Sequence, residues 1–319
     1  MLIALLQLAA GFVLLIWSAD RLVEGASALA RNFGISPMVV GLTIVGFGTS
    51  APEMVVSALA SLEGKPSLAV GNALGSNIAN VGLILGLTGL IYPMAVEATA
   101  RRREFPILAV VTLLTAILMV NGSLTRFDGT ILIGGLFLFL ASMAFRMVIQ
   151  TRSDPTTEAL LAEIPEGMPT RKAVTWTIVG LIVLPVSAQM LVDGAVTMAS
   201  EIGVSEAVIG LTVVALGTSL PELAAAIASA LKKEDDLAIG NILGSNLFNL
   251  LGVLGIAALI HPMVIEPILI WRDLPAMAGI FVVLAIAAYT SKRVGRGEGA
   301  VLLLAYIVYQ IVVFHEALA

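Results

Sequence analysis

Long apolar runs separated by short polar clusters make up most of this sequence. Most runs approach the roughly 20 residues that an α-helix needs to cross the hydrocarbon core of a bilayer. The polar clusters predict ten membrane spans, at roughly 2–30, 36–61, 68–91, 104–121, 127–148, 172–199, 205–230, 237–260, 274–290 and 299–317. A long polar segment over 150–171 follows the fifth span, and we interpret it as a linker between two halves, 1–149 and 172–319.

Composition agrees with this interpretation. Apolar residues fill 59% of the 319 positions, and charged residues fill 12%. A soluble domain carries roughly twice that charged fraction. The chain has no cysteine, which excludes disulfides, thiol catalysis and thiolate metal sites. Nothing in the sequence points to a nucleic-acid partner; the expected surroundings are the lipid bilayer.

Two motifs occur twice, at the same offset of 169 residues. GLTIVGFGTSAPE at 41–53 returns as GLTVVALGTSLPE at 210–222, and AVGNALGSNIAN at 69–80 returns as AIGNILGSNLFN at 238–249. The shared offset indicates a duplicated half-chain. Each half holds five spans, an odd number, so the second copy is predicted to enter the membrane in the opposite orientation. Inverted repeats of this kind are typical of secondary transporters.

The placement of Lys and Arg supports an inverted arrangement. If the N-terminus is extracytoplasmic, thirteen of the 17 Lys and Arg residues fall on the cytoplasmic side, and only Lys65, Arg126 and Arg272 fall outside. Cytoplasmic loops of membrane proteins carry an excess of these residues. The sequence therefore predicts that both termini are extracytoplasmic and that the linker is cytoplasmic.

The first motif predicts a broken membrane helix. Pro52 has no N–H and its ring obstructs the carbonyl four residues earlier, so we do not expect a helix that is intact through Gly48. Carbonyls freed at bilayer depth persist only where they line a cavity or bind something. A cation is the natural partner for such carbonyls and for the hydroxyls and carboxylates beside them. The two copies of the motif supply Thr49, Ser50 and Glu53, and Thr218, Ser219 and Glu222.

The second motif adds side-chain oxygens, because residues four apart share one helix face. This face carries Asn72, Ser76 and Asn80 in the first copy, and Asn241, Ser245 and Asn249 in the second. Ligation and packing suit Asn72 and Asn241 equally. Asn77 and Asn246 lie off the face, and bonding between helices suits them at least as well as ligation. An all-oxygen ligand set with two carboxylates favours Ca²⁺ or Na⁺ over zinc or copper.

GTSxPE followed by GNxxGSNxxN, in two copies, resembles the alpha-repeat signature of the calcium/cation antiporters, the sodium/calcium exchanger superfamily. The resemblance covers essentially the whole chain and is greatest to compact prokaryotic members. It implies an all-α membrane protein of ten transmembrane helices, in two inverted five-helix repeats with broken helices at the midplane. It also implies exchange of Ca²⁺ for Na⁺ across the inner membrane by alternating access, with no cofactor and no enzymatic reaction.

Matched to the motif residue by residue, the resemblance makes Glu53 and Glu222 the central ligands of both ions. The other positions that it implies are Thr49, Ser50, Thr218 and Ser219, then Ser76, Asn80, Ser245 and Asn249, and backbone carbonyls near Gly46 and Ala215. The chain departs from some members at Asn249, where they carry Asp. The site therefore holds at most two negative charges, which leaves the stoichiometry, proton coupling and K⁺ dependence open. The proton-coupled branch of the family usually replaces the GTS triplet before the glutamate. The resemblance therefore favours Na⁺ over H⁺ here, because both copies retain GTS.

Two other classes of protein remain possible on the residues alone. A cation channel could use the same ligands, although the repeat completes its site within one chain rather than on an oligomer axis. An intramembrane hydrolase could use paired carboxylates as acid and base. We interpret the charged residues of the first span, Asp20, Arg21 and Glu24, as structural rather than functional, because Arg21 can pair with Glu24 one helical turn away.

Overall fold

The computed structural model describes residues 2–152, 167–201 and 217–318. The helices are α1 Leu2–Phe33, α2 Pro37–Thr49, α3 Ala51–Leu62, α4 Leu68–Ile91, α5 Phe105–Met119, α6 Arg126–Arg152, α7 Thr170–Glu201, α8 Leu220–Leu231, α9 Asp235–Ile260, α10 Leu274–Thr290 and α11 Arg296–Leu318. Four two-residue strands lie in the described loops: β1 Met94–Ala95, β2 Ser123–Leu124, β3 Met263–Val264 and β4 Arg293–Val294.

Seven described helices are long and apolar enough to cross a membrane: α1, α4, α6, α7, α9, α11, and α10 together with the π turn before it, over Leu269–Thr290. Helices α2 and α3 form an eighth candidate, bent by 43° between them. The protein is thus a mostly helical integral membrane protein. Helices α5 and α8 have only 15 and 12 residues, and much of the predicted seventh span lies in 202–216, outside the described residues. The count of ten spans therefore stays a prediction.

The bend between α2 and α3 lies at Ser50, where φ is −84° and ψ is 0°. The prediction that the helix would not continue through Gly48 is wrong, because residues Gly46–Thr49 are helical. The reason is the position of Pro52 in the first turn of α3, where an N–H would have no partner within the helix. The proline therefore starts a new helix after the bend, and Glu53 falls in the first turn of that helix.

Five π-helical turns interrupt the described helices or precede them, and the sequence pattern does not predict them. They span Gly41–Val45, Ala79–Leu85, Ala100–Glu104, Phe248–Val253 and Leu269–Asp273. Such turns are rare and frequently lie at functional positions. Four of them form two pairs whose first residues are 169 positions apart, which matches the offset of the motifs. The duplication thus extends to irregular backbone geometry.

Helices α1 and α7 pack closely on each other through glycines. A methyl group on Gly11 would lie 2.8 Å from the Leu191 nitrogen, and one on Gly180 would lie 2.6 Å from Leu22 Cβ. The two contacts are equivalent, because Gly180 is the counterpart of Gly11 and Leu191 the counterpart of Leu22, each 169 residues later. Small residues of this kind allow the backbones of membrane helices to approach.

Two short antiparallel ladders also join the halves. Strand β1 pairs with β4, with Met94 opposite Val294, and β2 pairs with β3, with Leu124 opposite Met263. Each ladder connects one loop of the first half to one loop of the second. The two loops of each ladder must therefore lie on the same side of the membrane.

Candidate cation site

The two glutamates of the repeated motif are buried at the starts of equivalent helices. Glu53 lies in the first turn of α3 and Glu222 in the first turn of α8, and each is only 1% exposed. The Ser50 hydroxyl, three residues before Glu53, donates to Glu222 Oε1 at 3.5 Å, so the first motif of one half contacts the glutamate of the other. Both carboxylate oxygens of Glu53 and Oε2 of Glu222 have no hydrogen-bond partner in the described part of the chain. Buried carboxylates in this state require a proton or a cation.

Hydroxyl and amide oxygens from both halves meet beside these carboxylates. Thr49 Oγ1 donates to Asn241 Oδ1 at 3.1 Å and lies 3.3 Å from Ser245 Oγ. The hydroxyls of Thr49 and Ser245 each lie 3.4 Å from the Gly46 carbonyl oxygen, which the Ser50 N–H also approaches to 3.1 Å. The first motif of one half therefore contacts the second motif of the other half.

Glycines bring α2 and α9 close enough for these contacts. A methyl group on Gly41 would lie 2.7 Å from the Leu237 carbonyl oxygen. One on Gly244 would lie 2.5 Å from the Leu42 carbonyl oxygen, a distance that real Cβ atoms do not adopt. Because the atoms in the way belong to the backbone, only glycine fits at these two positions without a shift of a helix.

The asparagines of the second motif form two equivalent pairs. Asn80 Nδ2 donates to Asn246 Oδ1 at 3.0 Å, and Asn249 Nδ2 donates to Asn77 Oδ1 at 3.1 Å. The Oδ1 atoms of Asn80 and Asn249 are buried without a hydrogen-bond partner among the described residues. From the sequence alone, Asn77 and Asn246 suited bonding between helices at least as well as ligation, and these partners were not predicted, although the repeated GSN triplet was a signal for them.

The remaining predicted residues occupy a range of environments. Ser76 and Ser219 are buried, Thr218 is partly buried, and Ala215 lies outside the described residues. Asn72 donates to the Glu53 carbonyl oxygen at 3.2 Å and to Ser57 Oγ at 2.9 Å, contacts that join α4 to α3. No group of three or more His, Cys, Asp or Glu side chains is placed to hold a metal ion in the described ranges. A cation in this cluster would therefore depend on two carboxylates and several neutral oxygens.

The acidic residues of α1 belong to ion pairs rather than to the cluster. Arg21 pairs with Glu24, which confirms the prediction for these residues. Lys232 Nζ lies 2.7 Å from Asp20 Oδ1, so a lysine that follows α8 neutralises the other acid of this segment.

Paired motifs on glycine-packed membrane helices, with buried oxygens from both halves, define the class of secondary cation transporters. The sequence model of one family, described as sodium/calcium exchanger protein, matches residues 3–145 and 172–315. The chain belongs to this family of cation antiporters.

Individual relatives agree over nearly the full length. The chain is 49% identical over 317 residues to the putative antiporter CaxA of Alkalimonas amylolytica, covering 98% of this chain and 99% of that protein. It is 43% identical over 314 residues to the inner membrane protein YrbG of Escherichia coli strain K12, covering 97% and 96%. A solved structure of the sodium-calcium exchanger NCX_Mj, soaked with Na⁺ and Sr²⁺, has a TM-score of 0.82 at 30% identity, over 96% of this chain and 97% of that one.

Proposed function

We propose that this protein is a secondary-active antiporter that exchanges Ca²⁺ for Na⁺ by alternating access. The observation that carries the proposal is a set of five buried oxygen atoms without hydrogen-bond partners among the described residues, from Glu53, Glu222, Asn80 and Asn249. Carboxylate and amide oxygens are the hard ligands that Ca²⁺ prefers, and they suit Na⁺ as well. The similarity to the sodium-calcium exchanger NCX_Mj supports the same pair of ions.

In this proposal, Glu53 and Glu222 are the central ligands of both ions. The flanking ligands are Thr49, Ser50, Thr218 and Ser219, with Ser76, Asn80, Ser245 and Asn249 on the neighbouring helices and carbonyls at Gly46 and Ala215. One Ca²⁺ neutralises the two carboxylates, whereas three Na⁺ leave the cluster with one positive charge. Exchange of three Na⁺ for one Ca²⁺ would therefore move charge across the membrane.

Burial of the two carboxylates explains why the exchange would be obligatory. Each is 1% exposed, and without a cation they would repel each other in a medium that solvates charge poorly. A protein with an empty site would pay this cost in any state that closes the site to water on both sides. Closure is therefore favoured only when cations or protons occupy the site, and while the carboxylates carry no protons, net transport of one ion requires return of the other.

The inverted ten-span arrangement is also part of the proposal, and the ladders between the halves support it. Strand β1 follows the third predicted span and β4 follows the ninth; β2 follows the fourth and β3 the eighth. With ten alternating spans, both members of each pair fall on one side of the membrane. If the repeats were parallel, β1 and its equivalent β3 would lie on one side of the membrane, and β2 and its equivalent β4 on the other. The observed pairs, β1 with β4 and β2 with β3, would then have to join opposite sides.

Polar contacts at the helix ends support the proposed grouping of the loops on two sides of the membrane. On the predicted cytoplasmic side, Arg31 Nη1 lies 3.0 Å from Glu234 Oε1, and Asn32 Nδ2 donates to the Met168 carbonyl oxygen at 3.0 Å. On the predicted outer side, Arg272 Nη1 lies 2.6 Å from Glu316 Oε2. Each contact joins loops or ends that the alternating topology places together.

Reporter fusions test this topology. A reporter after Ala319 should signal an extracytoplasmic location, because an even number of spans returns the chain to the side on which it began. A reporter inserted between Ser153 and Glu166 should signal a cytoplasmic location, because five spans precede it. Paired fusions to alkaline phosphatase and green fluorescent protein give opposite signals for the two sides. The same location at both positions would contradict the inverted repeat.

Flux measurements test the coupling ion. In proteoliposomes with equal pH on both sides and the membrane potential clamped at zero, an outward Na⁺ gradient should drive ⁴⁵Ca²⁺ accumulation. Lowering the pH equally on both sides should inhibit this uptake, because protons compete with cations for the carboxylates. If Ca²⁺ accumulates under a pH gradient alone and not under a Na⁺ gradient, the protein is a proton antiporter instead. A requirement for K⁺ on the Ca²⁺ side would indicate a K⁺-dependent exchanger.

A further inference from the structure

Asn77 and Asn246 occupy equivalent positions where α4 and α9 meet, and each is 2% exposed. Each accepts a hydrogen bond from the predicted ligand of the other half: Asn77 from Asn249, and Asn246 from Asn80. The two pairs are therefore related by exchange of the halves. Neither Asn77 nor Asn246 is needed as a cation ligand to explain its burial.

The direction of one pair follows from simple hydrogen-bond chemistry. Asn77 Nδ2 lies 3.3 Å from the main-chain carbonyl oxygen of Asn246, and a carbonyl oxygen can only accept. The Asn77 amide must therefore direct its nitrogen to this carbonyl and its oxygen to Asn249. Asn249 must in turn direct its nitrogen to Asn77, which leaves the Asn249 oxygen as the atom without a partner among the described residues.

We propose that Asn77 and Asn246 are positioning residues that orient the amides of Asn249 and Asn80, so that each offers an oxygen to the bound cation. This inference rests on the proposed function. A carboxamide has nearly the same shape in its two orientations, but only one presents an oxygen. In the other orientation the NH₂ group faces the cation, and its partial positive charge opposes binding. The amide clasp, Asn77–Asn249 and Asn246–Asn80, prevents that rotation.

The clasp also favours a neutral residue at position 249. An aspartate there would bring a carboxylate oxygen against Asn77 Oδ1, which is 3.1 Å from the present nitrogen. Asn77 could relieve this repulsion only by rotating its amide, which would turn its oxygen against the Asn246 carbonyl. The polar network around the site thus selects asparagine over aspartate, and with it a cluster of two negative charges.

Double-mutant cycles test whether the clasp acts through its partners. Asn77→Ala should raise the Ca²⁺ concentration for half-maximal uptake by roughly five- to tenfold, as expected for loss of one buried hydrogen bond that holds a ligand. The same change should have no further effect in an Asn249→Ala background and its full effect in an Asn80→Ala background. Asn246→Ala should have no further effect in an Asn80→Ala background and its full effect in an Asn249→Ala background. The rise in unfolding temperature that Ca²⁺ produces in detergent should decrease in the same variants, with the same dependence on background.

The pattern across backgrounds separates positioning from packing. Equal effects of Asn77→Ala in the Asn249→Ala and Asn80→Ala backgrounds would overturn the proposal, as would wild-type Ca²⁺ dependence in both single variants. If Asn77→Ala does not fold, Asn77→Ser, which keeps a donor for the Asn246 carbonyl, takes its place, and its effect must depend on the background in the same way. Failure of the proposed function is distinct, because wild-type protein would then show no Na⁺-driven Ca²⁺ uptake, whatever the variants do.

Discussion

Glu53→Gln and Glu222→Gln should each abolish Ca²⁺ exchange. Glutamine keeps the shape of the side chain but removes one of the two charges that balance a divalent cation, so bound Ca²⁺ would leave a buried net positive charge. An uncompensated buried charge costs about 3–5 kcal/mol, which corresponds to a loss of more than about a hundredfold in affinity. The measurement is Na⁺-driven ⁴⁵Ca²⁺ uptake into proteoliposomes that contain equal amounts of each variant.

Glu24→Gln is the matched control. This residue is also a glutamate on a membrane helix, but it pairs with Arg21 and its side chain is 33% exposed. Exchange by this variant should remain close to that of the wild type. Wild-type exchange by either Glu53→Gln or Glu222→Gln would remove that glutamate from the proposed ligands.

Gly244→Ala should cause the second large loss of transport, although this position carries no candidate ligand. The added methyl group would lie 2.5 Å from the Leu42 carbonyl oxygen and 2.8 Å from Leu42 Cα, so α2 and α9 must separate. Overpacking of this kind costs about 1–3 kcal/mol. It would also move Ser245 away from Thr49 and the Gly46 carbonyl. We expect at least a roughly tenfold lower exchange rate together with a lower unfolding temperature in detergent.

Gly279→Ala controls for the change in residue type. Gly279 also lies within a membrane helix, and apart from the adjacent backbone of its own helix no described atom lies within 4 Å of the position of an added methyl group. Its transport and thermal stability should match or slightly exceed those of the wild type, because alanine favours helix more than glycine does. Normal transport by Gly244→Ala would show that α2 and α9 do not need this close contact.

The sequence predicted a helical membrane protein because long apolar runs are a local pattern, and it proposed the candidate cluster from repeated local motifs. Apolar runs of about 20 residues identified the membrane protein, and the duplicated motifs brought Thr49 and Ser245 into one cluster before any contact was known. The predicted position of the bend, Gly48, was two residues from the observed position, Ser50, because a proline can end one helix or begin another. The choice depends on where the first turn of the following helix lies.

Other features could not be predicted from the sequence, because they depend on the way the halves meet. A π turn adds a residue to a helical turn, and the sequence of Ala79–Leu85 does not differ visibly from ordinary membrane helix. The orientation of the Asn249 amide depends on Asn77, which is 172 residues away. Only the crossing of α4 and α9 brings these two groups together.

The reciprocal contact of Gly11 with Leu191 and of Gly180 with Leu22 has a consequence for the origin of the chain. Adding 169 to the number of the residue in the first half and subtracting 169 from the other converts each of these contacts into the other. A two-fold symmetric homodimer has contacts of this kind, because the same surface patch serves both subunits. In the proposed inverted ten-span arrangement, a half-length ancestor with five spans would have needed to insert into the membrane in both orientations to form such a dimer. Fusion of two gene copies would then have fixed one orientation for each half, and only afterwards could the halves diverge, as they have at Glu24 and Asp193.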